Sequence, residues 1–227
     1  MFEDFKNNID FFIRNNTKFS RKNYIEKNQE LIARYDQESK YLYDILDSVF
    51  EKRQNNNIKI LDIGCKNWYY AKGEHSFFAS FCNDFKLDGV EIDAYRLYNN
   101  FYTRFEVAKF FIKNLENTNY IAGNLLELKE KYDYIIWLLP FVVPEPLMAW
   151  GLPKKFFCPD ELLKHAYNLL KENGQMLIIN QGEKEAEVQN ELLKKCFLPH
   201  KYLGEIKSRH FTYKYQRYGF LIDKNTN

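Results

Sequence analysis

Ile58-Lys-Ile-Leu-Asp62-Ile-Gly64-Cys-Lys66-Asn-Trp68-Tyr-Tyr70 is the stretch on which the fold turns. Apolar, largely β-branched residues on consecutive positions read as a strand buried on both faces, and Asp-Ile-Gly ends it in a turn. A loop that cradles a phosphate or a nucleoside would continue with a second and a third glycine. A Cβ there blocks the backbone's approach to the ligand, and φ often turns positive. Lys66 and Trp68 stand at those positions instead. Asn67 between them tolerates left-handed backbone better than most residues, so the sequence places the left-handed turn residue at Asn67.

Outward from this loop, strands and helices alternate. Short apolar runs recur at 58–63, 87–92, 119–122, 132–137 and 175–180. Segments with helical spacing lie between them, at 69–81, 94–115, 160–170 and 183–196. Strands that are apolar throughout, each followed by a helix, predict a parallel sheet covered on both faces. After Cys196 two runs, 202–207 and 215–222, follow without a long helix between them, which predicts a C-terminal β-hairpin and an antiparallel strand. Before the first strand, Leu42, Ile45, Leu46 and Val49 fall at three- and four-residue spacing and predict a helix over 35–50. The expected fold class is therefore α/β: a doubly wound, mostly parallel seven-stranded sheet with helices on both faces. Residues 1–57 form an N-terminal helical extension and 58–227 the Rossmann-like domain.

Composition narrows the function classes. An aromatic content of 18% and a charged content of 28% describe a globular chain rather than a disordered one. A net charge of +2 does not demand nucleic acid as a partner. Cys65, Cys82, Cys158 and Cys196 form no CxxC pair, and His75, His165, His200 and His210 lack ligand spacing, so no metal site is expected. Acids in Met1-Phe-Glu-Asp-Phe5 do not suit a signal peptide, and prolines interrupt the most apolar segment, 134–150. The expected setting is the reducing cytoplasm, without a membrane.

In a doubly wound sheet, ligands sit beyond the carboxyl ends of the strands. Glu91 ends the second run, and an acid there can accept hydrogen bonds from both hydroxyls of a ribose. Asn124 ends the third, where a short polar side chain can meet an adenine edge. Gly174 suits a helix stop before the fifth strand.

The succession Leu61-Asp-Ile-Gly-Cys65, Gly89-Val-Glu-Ile-Asp93, Ala122-Gly-Asn124, Tyr132-Asp-Tyr-Ile-Ile136 and Leu169-Leu-Lys-Glu-Asn-Gly174 resembles the class I S-adenosylmethionine-dependent methyltransferases. The resemblance spans about residues 40–223, and the closing hairpin is similar to that family's reversed seventh strand. It implies S-adenosylmethionine as cofactor. Asp62, Gly64 and Cys65 would lie along the methionine part, Glu91 would hold the ribose, and Ile92 would pack on adenine. Asn124, where the family usually has Asp, would meet the adenine edge together with the Leu125 amide.

Two departures mark this chain beside the substituted glycines. Leu138-Leu-Pro-Phe141 stands where amine-methylating members carry Asn/Asp-Pro-Pro-aromatic, and Leu138 offers no hydrogen bond to an acceptor. A proline-stiffened aromatic segment from Pro144 to Pro153 reads as a lid over the expected site. No base stands out; Glu145 and Asn180 are the candidates for positioning the acceptor, with helix capping the plainer role for Asn180. The expected activity is methyl transfer to an unidentified acceptor, a small molecule before RNA or protein. The basic and aromatic residues between Pro199 and Tyr218 fit alternating hairpin faces better than a single-stranded RNA surface. A non-catalytic binding protein of this fold is the alternative. A nicotinamide-dependent oxidoreductase is disfavoured because the pyrophosphate loop is missing.

Overall fold

A computed structural model of the protein describes residues 29–53, 56–98 and 101–224. The expectations for residues 1–28 lie outside the described residues. Thirteen main elements follow one another: α1 (Gln29–Val49), β1 (Ile58–Ile63), α2 (Ala71–Ala79), β2 (Phe85–Glu91), α3 (Arg104–Ile112), β3 (Thr118–Ala122), β4 (Tyr132–Leu138), α4 (Pro144–Ala149), α5 (Pro159–Leu169), β5 (Leu170–Gln181), α6 (Gly182–Lys195), β6 (Lys201–Ile206) and β7 (Arg217–Asp223). The seven strands form one sheet in the order β3-β2-β1-β4-β5-β7-β6. All pairings are parallel except those of β7 with β5 and with β6. Strand order reverses between β1 and β4, so the crevice for a ligand opens above those two strands.

Two cores sit on the two faces of the sheet, as consecutive apolar positions require. Ile58 and Ile60 of β1 join one core with Tyr41, Leu42, Ile45 and Leu46 of α1 and with Phe77 and Phe78 of α2. Leu61 and Ile63 join the other with Leu163 and Leu169 of α5 and Leu193 of α6. The N-terminal helix thus belongs to the same hydrophobic core as the sheet. Among the described residues, no helix is long and apolar enough to cross a membrane.

Several boundaries differ from the expected ones. The helix expected over 94–115 begins only at Arg104, because Thr103 and Glu106 form a capping box there. The described residues before it, 94–98 and 101–103, form no helix, and Leu97 bridges Thr103. β5 begins at Leu170, directly after α5, so Gly174 stops no helix; Asn173 carries the positive φ of 62°. A Cβ on Gly174 would lie 2.8 Å from the Lys171 carbonyl, so its glycine serves close packing. α6 is entered from Gln181 without a side-chain cap, which leaves Asn180 no capping role.

Candidate active site

The loop after β1 departs from the sequence expectation in an instructive way. Gly64 has φ 73°, Lys66 57° and Trp68 45°; Asn67 is not among the residues with positive φ. Lys66 and Trp68 therefore adopt the left-handed backbone themselves, at a cost of roughly 1–2 kcal/mol each. Lys66 is held from both sides: its N–H donates to Glu91 Oε2 (2.9 Å) and its carbonyl accepts the Tyr120 hydroxyl (2.5 Å). Trp68 turns its indole into the interior, where it is fully buried and donates Nε1–H to Glu74 Oε2 (2.8 Å). Room for the indole comes from Gly89, where a Cβ would stand 2.8 Å from Trp68 Cζ2 and Cη2. The missing glycine of the loop is compensated by a glycine on the neighbouring strand.

Above this loop lies a cavity of ≈ 620 Å³, within the range of small-molecule sites. Gly64, Glu91, Ile92, Asn124 and Leu125 line one side of it. Glu91 is buried at the end of β2; its Oε1 accepts the Asp93 N–H (2.7 Å) and faces Arg104 Nη1 at 3.6 Å. With lone pairs to spare, it can still accept hydroxyl groups from the cavity. Asn124 uses its Oδ1 to accept the Leu126 N–H (3.1 Å), leaving its amide donors for a ligand. Nothing stands within 4 Å of where a Gly64 Cβ would be, so the cradle there is open.

Asp62 and Cys65 are buried beneath the loop and do not line the cavity. Both oxygens of Asp62 lack a hydrogen-bond partner among the described residues. Burial pushes its carboxyl up to about 8. Burial also raises Glu74 well above the usual carboxylate range, and the charge of neighbouring Asp62 adds to that. A buried acid pair of this kind favours a cation nearby.

Glu145 is exposed in the first turn of α4 and lies outside the cavity wall. Asn180 is fully buried, also outside the wall, with neither amide atom hydrogen-bonded among the described residues. The structure does not bring these two to the rest of the site. The 140–156 segment does line the cavity, through Pro140, Phe141, Val142, Leu147, Trp150 and Phe156. Leu139 at its root is left-handed (φ 55°), a conformation in which a side chain is strained. Trp150 reaches to the first loop: Lys66 Nζ stands 4.9 Å and Arg104 Cζ 4.6 Å from its ring centroid.

Residues from distant parts of the chain complete the far wall. Glu38 of α1 accepts from Tyr69 Oη (2.5 Å), Tyr213 Oη (2.9 Å) and Arg34 Nε (2.6 Å). Arg217, at the start of β7, lies 4.3 Å from the Tyr213 ring centroid. These side chains come from α1, the first loop and the β6–β7 hairpin, so only the folded topology makes them neighbours. The aromatic residues of the hairpin connection, Phe211 and Tyr213, pack against the core on the α1 side of the sheet. The four cysteines are free, and no group of metal ligands occurs among the described residues.

No sequence-family model matches the chain, and no curated protein matches it. Solved structures do. A SAM-dependent methyltransferase from Aquifex aeolicus superposes with a TM-score of 0.57 at 13% identity, covering 81% of this chain and 91% of that one. The plantazolicin methyltransferase BpumL in complex with SAH gives 0.52 at 14% identity, covering 94% of each chain. A class I S-adenosylmethionine-dependent methyltransferase from Listeria monocytogenes gives 0.54 at 15% identity, over 84% of this chain and 60% of that one. Identities this low carry architecture and not substrate. With its strand order, reversed β7 and crevice above β1 and β4, the chain has the class I S-adenosylmethionine-dependent methyltransferase fold.

Proposed function

We propose that the protein is an S-adenosylmethionine-dependent methyltransferase acting on a small molecule. The observation that carries this reading is the buried Glu91 carboxylate, fixed at the wall of the cavity beside the open Gly64 cradle. The donor set suits the cofactor. Glu91 would hold the ribose hydroxyls, Ile92 and Leu125 would flank the adenine, and the Asn124 amide and the Leu125 N–H would meet its edge. Gly64 would let the methionine part approach the backbone, and the unpartnered Asp62 would favour its ammonium from beneath the loop.

S-adenosylmethionine, when bound, supplies an activated methyl group on a sulfonium. The protein's part is then to hold an acceptor in line and keep water out. Leu138, Leu139, Pro140 and Phe141 form an apolar wall at the exit of β4. Without a hydrogen-bonding group at Leu138, that wall orients an acceptor by shape alone. A small-molecule acceptor fits a cavity that α1, the 140–156 segment and the hairpin enclose. The structures it resembles include a plantazolicin methyltransferase and a precorrin-6y C5,15-methyltransferase.

One observation favours a second reading, a protein of this fold that binds the nucleoside without turnover: Trp150 lies across Lys66 and Arg104, next to Glu91. Calorimetric titration with S-adenosylmethionine and S-adenosylhomocysteine, beside NAD, tests the first reading. Saturable 1:1 binding of both sulfur nucleosides and none of NAD supports it; silence with both overturns it. Methyl release from labelled S-adenosylmethionine on incubation with small-molecule extracts separates it from the second.

A further inference from the structure

The wall opposite Glu91 presents hydrogen-bond donors that the protein leaves unused. Arg217 is partly buried and lines the cavity, yet no carboxylate lies in ion-pair range of it among the described residues. Its hydrogen bonds to Gln181 Oε1 (2.9 Å) and the Tyr215 carbonyl (3.3 Å) both leave from Nη1, so Nε and Nη2 remain for a ligand. The Tyr213 ring under the guanidinium fixes its plane. Burial pulls Arg217 below its ordinary range, and the tyrosines around it and the Glu185 carboxylate offset that only in part.

A second group points the same way. Tyr41 is 5% exposed, lines the same cavity and packs edge-on to Tyr213, with ring centroids 5.1 Å apart. Its hydroxyl has no hydrogen-bond partner among the described residues. Tyr41 and the Arg217 guanidinium both pack on the Tyr213 ring, which brings the two donors to the same part of the wall. Of the nearby carboxylates, Glu38 receives three donors and Glu185 accepts the Gln181 N–H (3.2 Å), and neither is in ion-pair range of Arg217.

We infer that the methyl acceptor is a small organic acid, whose carboxylate is received by Arg217 and the Tyr41 hydroxyl. The planar guanidinium has the fork geometry that suits a carboxylate, and a dianionic phosphate would be harder to desolvate among three tyrosine rings. The topology also sets a length. Arg217 pairs with Gln181 across β5 and β7, and β5 adjoins β4. Two strand spacings, roughly 10 Å, therefore separate the Arg217 backbone from the exit of β4, which sets the scale of the acceptor. An acid with its nucleophilic atom about one aromatic ring and a short linker away spans that distance.

This inference rests on the methyltransferase reading for the word acceptor, but the preference for a carboxylate can be measured without it. The probes are 4-hydroxyphenylacetate and 3-(4-hydroxyphenyl)propionate, their primary amides, and phenyl phosphate, titrated into the protein with and without S-adenosylhomocysteine. The acids are expected to bind at least tenfold more tightly than the amides. Arg217→Gln should bring acid and amide within about twofold of each other, with S-adenosylhomocysteine affinity unchanged and the far-ultraviolet spectrum retained. Tyr41→Phe, which removes only the hydroxyl, should weaken the acids at least threefold and spare the amides. Equal binding of acid and amide, no binding of either acid, a preference that survives Arg217→Gln, or tighter binding of phenyl phosphate would each overturn the inference. Loss of S-adenosylhomocysteine binding with the acid preference intact would strike the methyltransferase reading alone.

Discussion

Replacing Gly89 by alanine tests how this chain dispenses with two loop glycines. The new Cβ would stand 2.8 Å from Cζ2 and Cη2 of Trp68 and 2.9 Å from Cys65 Sγ, distances at which something must move. Trp68 cannot swing away cheaply: it is fully buried and its indole N–H is bonded to Glu74. Overpacking of a filled core costs about 1–3 kcal/mol. In a chain of this size that lowers the melting temperature by about 2–12 °C. The assay is urea unfolding followed by circular dichroism, run as a double-mutant cycle with Trp68→Phe, which lacks the two ring atoms in question. Gly89→Ala should be costly alone and less costly beside Trp68→Phe, where only the Cys65 Sγ contact remains, a coupling of about 1 kcal/mol or more. A Gly89→Ala protein within about 0.5 kcal/mol of the parent, or strictly additive effects, would refute the complementarity.

Other consequences follow from the same loop. Lys66 already has the backbone a glycine would prefer, so Lys66→Gly should leave stability within about 1 kcal/mol of the parent or raise it, whereas the β-branched Lys66→Val should lower it further; thermal melts of the two variants decide. Burial raises the Asp62 carboxyl from about 3.8 to about 8 on folding, so between those values the folded state holds more protons. Stability should therefore fall as pH rises from about 4 to about 8, by at most about 1.4 kcal/mol per pH unit for one proton. Asp62→Asn should flatten that slope, leaving the share of Glu74, which is raised by burial in the same sense; an unchanged slope across the window would contradict the burial account.

Much of the architecture was legible because it is carried by local periodicity. Consecutive apolar positions in β1, β4 and β5, and the paired runs after Cys196, specify a covered parallel sheet with a reversed strand, and both are present. The helical spacing from Ala94 does not mark the start of α3; Thr103-x-x-Glu106 is a capping box and sets that start at Arg104. The far wall of the cavity was not legible at all. Glu38, Tyr69 and the hairpin pair Tyr213 and Arg217 lie far apart in sequence, and no periodicity links the three; they meet through hydrogen bonds and ring contacts that only the topology creates. The first loop shows the limit of motif reading most clearly. The glycines serve approach and φ, and the chain meets those needs with Lys66 clamped by Glu91 and Tyr120 and with Trp68 accommodated at Gly89.

We propose Glu91 as the ribose hook of an S-adenosylmethionine site, and the calorimetric dissociation constant of S-adenosylhomocysteine for the parent protein and for Glu91→Gln tests that role. Hydrogen bonds to a charged group are worth about 1.5–3 kcal/mol, so the parent should bind saturably and the variant about tenfold to a hundredfold more weakly. Equal affinity in the two proteins, or no saturable binding by the parent, would contradict it.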